Sequence, residues 1–373
     1  MNKGFIATSL IYSFFLVIVL FMTLTINNTL QTSRTLTKYS EKAKEETISN
    51  TPETASEGKP LTEYLNILGK EYSKNSTNIL VMKEAPKNLS CTYTLAYDNT
   101  NDDNNLRYVG FEPCNYVTFN GEEAGWRIVG IFNNIDAQGT KKTLIKLVRR
   151  DSIGEFHIDD KNKSRQNFSS SKLATELNSD YLTYKSGTTY WNYNNFDHKL
   201  AIKPEYLDMI EKVTWNTGCA KYSDKAASLY QNERGTIVPD GFTNTFEGKI
   251  GLLYPSDYAF AIGETNEIRT KCLSMDSGED LRASSWAYSC GTGSGCDKLE
   301  MCYYHNWLNK MNTLTITTVD DFYDSTKYYP FVITAYWLDM NRTANVRPAL
   351  FLSSNVLYDG GMGTKDDPIR LKK

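Results

Sequence analysis

Residues 5–26, FIATSLIYSFFLVIVLFMTLTI, carry no charged side chain in a chain that is otherwise polar. As a helix this run of ~22 residues is roughly 33 Å long, enough to cross the ~30 Å hydrocarbon core of a bilayer. A core helix of a soluble domain would show a polar face. A cleaved secretory signal would be shorter in its apolar part and end in small residues. The segment that follows, TLTINNTLQTSRTL, has no such site. The expectation is an N-terminal transmembrane helix, with the membrane as a partner. Basic residues stand on both sides of it, Lys3 before and Arg34, Lys38, Lys42 and Lys44 after, so charge does not orient it. Size does: a few residues precede the run and a whole domain follows. The C-terminal domain is therefore expected outside a single-pass cell membrane anchor. Thr8, Ser9, Tyr12 and Ser13 share one helical face, suited to close packing against a partner helix in lipid.

The junction Lys3-Gly4-Phe5 ahead of the apolar run resembles a type IV prepilin leader. The resemblance implies cleavage between Gly4 and Phe5, leaving residues 1–4 as leader, and pilin-like subunits as partners through the helix. The chain departs from that pattern at one position: Ser9 stands where pilins carry Glu.

Beyond the run, residues 29–48 are polar and helix-compatible, with Glu41–Lys44 and Lys42–Glu46 at helical spacing, so 5–48 reads as transmembrane and stalk helix. SNTPETASEGKP, residues 49–60, reads as a linker, and a connecting helix is expected within 61–85. The globular domain, 86–373, opens with β-like runs (CTYTLAY, NYVTFN, WRIVGIF, TLIKLVRR), continues with helix-like ones (SSKLATELNSDYL, KPEYLDMIEKV) and closes with a strand, ALFLSS. Strands, then helices, then strands predict an α+β domain with a mixed, mainly antiparallel sheet. The net charge of −3 has no basic block behind it, so no nucleic-acid partner is expected.

All seven cysteines follow the apolar run, which suits an oxidising compartment and disulfides. The expected pairs are Cys91–Cys114, closing a turn-rich loop, and Cys272–Cys302. Cys219, Cys290 and Cys296 are left to share one further bridge and a thiol. No C-x-x-C occurs and the three histidines are dispersed, so no metal and no cofactor are expected.

No catalytic arrangement emerges. Nucleophilic catalysis needs a base beside the nucleophile, and no histidine is so placed in the sequence. GFTNTFEGKI has the wrong spacing for a phosphate loop, and Ile250 stands where a Ser or Thr would bind magnesium. The loop DNTNDDNN, 98–105, has calcium-type oxygens without the EF-hand order, and reads as a solvated turn. Glu233, Asp257 and Arg347 lie among core-like segments and read as structural. Arg347, inside an apolar strand, is expected to be buried and bonded to a carboxylate or to backbone carbonyls, with Asp257 and Glu233 as candidate partners.

The aromatic excess, 25 Tyr, 16 Phe and 6 Trp, supplies the ligand-binding candidates. Trp286, Tyr288, Tyr323, Tyr328, Tyr329 and Trp337 lie in segments rich in Gly, Asn, Asp and Ser. Rigid aromatic area beside adaptable hydrogen-bonding groups is the composition of a binding surface.

The motif series WRIVGIF, VTWNTG, ERG, GKIGLLYPSDYAFA, NWL, NVRPALFLSSNV and GGMGTKDDP, across residues 105–373, resembles an uncharacterised domain family of surface proteins in low-GC Gram-positive bacteria. That family is similar in pattern to C-type lectin-like domains and to the formylglycine-generating-enzyme fold. The resemblance implies a C-type lectin-like architecture and carries no catalytic residue. The expectation is a pilin-like cell-surface display protein, not an enzyme, whose C-terminal domain binds an extracellular glycan or protein in adhesion or recognition. The alternative is a structural minor pilin or assembly component without an external ligand.

Overall fold

The computed structural model describes residues 58–74, 79–82, 89–99, 103–159, 166–183, 198–221, 224–263, 265–275, 302, 305–308, 313–320, 327–333 and 343–373. Nine of the strands among them form one antiparallel sheet. Seven come early: β1 (Tyr72–Lys74), β2 (Ile79–Met82), β3 (Thr94–Tyr97), β4 (Leu106–Tyr108), β5 (Tyr116–Phe119), β6 (Glu122–Ala137) and β7 (Thr140–Arg149). The order runs β1-β2-β3-β4-β6-β7, then Ala349–Leu352 and Ile250–Gly251, with β5 paired to β6. A second, five-stranded sheet is centred on Thr313–Asp320.

Local chemistry explains the hairpins. The loops Asn120-Gly121 and Gln138-Gly139 have positive φ at both positions, 61° and 72°, then 56° and 78°. That backbone makes a two-residue turn whose twist matches its strands. β6 does not alternate in burial; residues 124–132 are all buried, so both faces of its middle are covered. Gly130 is required there, because a Cβ would lie 2.2 Å from the Leu106 carbonyl oxygen of the neighbouring β4. The core beneath the sheet holds Trp126, Trp215, Phe132 and Phe351, with the Trp215 and Phe351 rings 5.0 Å apart. Among the described residues two disulfides are present, Cys91–Cys114 and Cys272–Cys302.

The α+β expectation, with its transmembrane helix and lectin-like domain, is corrected. The described chain is mainly antiparallel sheet with few, short helices, the longest being Leu61–Glu71 at 11 residues. Among the described residues no helix is long and apolar enough to cross a membrane; the 5–48 segment lies outside them. The physical reason is visible in the middle of the chain. KPEYLDMIEKV carries a helix-like pattern, yet only Pro204–Met209 coils, as a 3-10 helix, and Val213–Asn216 leaves it to pair with Thr245–Gly248. SSKLATELNSDYL breaks after Leu177, where Asn178 turns to accept from the backbone of Lys249 and Ile250. Long-range pairing here overrides local helix propensity. The 61–85 segment likewise divides: a helix to Glu71, then β1 and β2, which join the large sheet.

Candidate functional site

The loop between β3 and β4 leaves and re-enters the sheet within a few residues, and it holds polar groups at two depths. Asp98, at the inner end, is buried. Its carboxylate accepts from the Asn105 backbone N–H and side-chain amide and from Arg107 Nε at 2.8 Å. Arg107 also donates to Asp257 Oδ1 at 2.6 Å, and the second oxygen of Asp257 takes the Lys146 ammonium. Four side chains, from the β3–β4 loop, β4, β7 and the helix Pro255–Phe260, thus form a buried chain of alternating charge. Burial pulls the Arg107 guanidinium down, but the carboxylates of Asp98 and Asp257 more than offset it, so it ends raised. Burial pushes the Asp257 carboxyl up, and Lys146 and Arg107 outweigh it, holding the group down at about 2. Lys146 is drawn down to about 8 by burial, with Asp257 opposing. Arg107 lies over the Phe132 ring at 4.5 Å, and Lys146 over Tyr254 at 4.4 Å.

At the outer end the same loop forms one wall of an open cleft of about 550 Å³. Tyr97, Asp103, Asn104 and Leu106 come from the loop and its flanking strands; Ile131, Asn133 and Asn134 from β6; Thr143 from β7; Asn66 from the helix Leu61–Glu71. A β-bulge builds this wall. The β6–β7 register shifts between Phe132 and Ile135, and Asn134 adopts a left-handed φ of 58°. Asn and Gly tolerate that conformation better than other residues. The bulge directs both amides to the loop: Asn134 Nδ2 donates to Asp103 Oδ1 and Asn133 Nδ2 to the Asp103 carbonyl, each at 2.8 Å. Bulges re-aim side chains in this way beside functional sites. Thr143 donates to the Asn133 side-chain oxygen at 2.9 Å. Below, Tyr230 donates to Asp103 Oδ2 and accepts from Asn105. Burial pushes the Tyr230 phenol up to about 12, against the nearby Arg234 and Arg107, so it stays a donor at ordinary pH.

The lining is chemically specific. It offers amides and a hydroxyl, one carboxylate already paired to neutral donors, and one aromatic. No histidine or cysteine stands in it. It has no nucleophile–base pair, and no group of metal-binding side chains occurs among the described residues. The arrangement can hold a neutral, hydroxyl-rich ligand, because each amide both donates and accepts.

The described residues among those singled out from the sequence do not line this cleft. Tyr328 and Tyr329 are half-buried on the strand Tyr328–Ile333 of the second sheet, with Tyr328 packed edge-on against Phe242 at 5.8 Å. Neither lines the cleft. Trp286, Tyr288, Tyr323 and Trp337 lie outside the described residues, as do Gly4 and Phe5. Glu233, Asp257 and Arg347 are all buried. Arg347 donates to the carbonyls of Arg149 and Leu308, at 3.0 and 3.1 Å, whereas Asp257 serves Arg107 and Lys146. Glu233 accepts from the backbone and hydroxyl of Ser256 and pairs with Arg234. The cleft itself was missed, although two signals point to it: the Asn/Asp-rich loop 98–105 and the Asn133-Asn134 pair interrupting a β-run.

No family model, no curated protein and no solved structure matches this chain.

Proposed function

We propose that the chain is an exported cell-surface protein whose 57–373 unit binds an extracellular glycan in the asparagine-lined cleft, serving recognition or adhesion. The observation that carries this reading is the cleft wall built by the β6 bulge. Asn133 and Asn134 are locked against the 103–105 loop before any ligand arrives, and such preorganisation lowers the ordering cost of binding. Its volume lies within the range of about 300–1,000 Å³ typical of ligand sites. Two disulfides support an oxidising, external location. The uncharged run 5–26 supports attachment at the cell membrane, and the Gly4-Phe5 junction supports pilin-like processing and pilin-like partners.

The test is a glycan array probed with the full chain in mild detergent, alongside an Asn66→Ala/Thr143→Ala variant. Both side chains are exposed in the cleft, so the variant is expected to fold. Two lost hydrogen bonds of about 0.5–1.5 kcal/mol each predict roughly tenfold weaker binding. Failure of the folded protein to retain any glycan, or full retention by the variant, overturns the reading. The first of those outcomes favours the purely structural, pilin-assembly role.

A further inference from the structure

A second cleft, of about 420 Å³, has Tyr97 as a wall in common with the first. On its other side stand Arg269, Thr270, Leu273 and Ser274, from the helix Asn266–Leu273 and its C-cap. Arg269 is 3% exposed. Its Nη1 donates to the carbonyls of Phe260 and Ile262, at 2.8 and 2.7 Å. Its Nη2 is buried and meets no acceptor. Asp98 lines the same cleft, but its oxygens already serve Asn105 and Arg107. Burial therefore draws the Arg269 guanidinium down to about 10, with Asp98 opposing and Arg107 adding to the effect.

A buried guanidinium with an open N–H is costly unless something anionic completes it. The neighbouring cations each have a carboxylate: Arg107, whose Nη2 is also left open, has Asp98 and Asp257, Lys146 has Asp257, and the partly exposed Arg234 has Glu233. Arg269 differs from these three in bonding only to backbone carbonyls, as Arg347 does elsewhere, and it lines the second cleft. It is also held firmly. Its bonds to the Phe260 and Ile262 carbonyls hold the guanidinium in place, and Cys272, three residues on, ties the helix to Cys302; a preset group favours ligand capture without reordering.

We propose that this second cleft is an acid-group subsite, in which Arg269 receives the carboxylate of a uronic-acid-type sugar whose hydroxyl-rich part lies across Tyr97 in the asparagine-lined cleft. The inference rests on the glycan reading and narrows it to acidic glycans. Arginine suits the role because a charge-assisted N–H to carboxylate bond is roughly twice as strong as a neutral one. A sulfate ester shares the same chemistry, so the test separates the two.

The experiment immobilises the full chain in detergent and measures binding of oligogalacturonates, of the same oligosaccharides after reduction of their carboxyl groups, and of sulfated galactans. The acidic oligosaccharide is expected to bind at least tenfold more tightly than its reduced counterpart, with the preference shrinking between low and high salt. Arg269→Gln should lower binding of the acidic ligand more than tenfold and of the reduced one far less. Because that variant removes a buried group, Thr270→Glu provides a second route: it places a repelling charge on the exposed rim without disturbing the core, and should abolish the same preference. Equal binding of the acidic and reduced forms, or a preference that survives Thr270→Glu, overturns the acid subsite and leaves the glycan reading standing. Preference for the sulfated galactan alone overturns the carboxylate assignment. Absence of binding to all three classes overturns the acid subsite, and the glycan reading falls with it only if the array also retains nothing.

Discussion

Asp98 and Asp103 are five residues apart in one loop and face opposite fates. Asp98 is 6% exposed and belongs to a charge chain that reaches Lys146 through Arg107 and Asp257. Asp103 is half-buried, accepts only from the neutral donors Tyr230 and Asn134, and sits at a cleft mouth. The inner carboxylate is engaged by Asn105 and Arg107, so it serves the fold even where it borders the second cleft. The outer region is equally well organised but open, so its remaining hydrogen-bonding capacity is available to a ligand.

The comparison breaks most easily at the inner end. Asp257→Asn removes one acid from between two buried cations, and loss of one partner from a buried ionic pair costs about 3–5 kcal/mol. Urea denaturation should show that loss. A change below about 1 kcal/mol would mean the charge chain is not structural. Replacing Cys91 and Cys114 with Ser should cost about 3 kcal/mol by the same measurement, since the bridge closes a span of 23 residues that includes β3, the loop and β4. An unchanged midpoint would show that the sheet holds the loop unaided.

Glu233 sharpens the contrast through pH. Burial pushes its carboxyl up to about 7, against Arg234 and Ser256. A folded-state value above the unfolded one means that the stabilising contribution is complete below about pH 4.5 and is lost as the pH rises through about 7. Over that window the loss is at most about 3 kcal/mol. Glu233→Gln should flatten the stability profile between pH 5 and 7; an unaltered slope would place the titration elsewhere. The smallest expected effect is at the outer end. Asn66→Ala/Thr143→Ala should change folding stability by about 0.5 kcal/mol or less while weakening glycan binding. A large stability loss would make the cleft wall structural, like the region beneath it.

Much of the local architecture was legible. The β-rich runs around Trp126 and Leu147 formed strands, and both bridges expected from the cysteines, Cys91–Cys114 and Cys272–Cys302, are present. The burial of Arg347 also followed from its apolar surroundings, and backbone carbonyls are among the acceptors that setting predicts; Asp257 and Glu233 are not its partners, and the carbonyls it uses lie 198 and 39 positions away. The helical middle misled because Val213–Asn216 and Asn178 answer to strands and backbone groups far along the chain. The cleft was illegible for a related reason: its wall comes from the helix Leu61–Glu71, the β3–β4 loop, the β6 bulge and β7, and no short window contains them.

By itself, the sequence determined what depends on neighbours in the chain: hairpin turns at Asn120-Gly121, β-forming runs, an uncharged N-terminal segment, and cysteines suited to an oxidising compartment. Only the tertiary structure decided that Asp98 would be buried and Asp103 left at a cleft mouth, which arginines would be left with an open donor, and where asparagines from a helix, a loop and a strand would meet. Side-chain chemistry is a local property, whereas burial, and hence the cost of leaving a polar group unpaired, is set by every chain segment that packs above it.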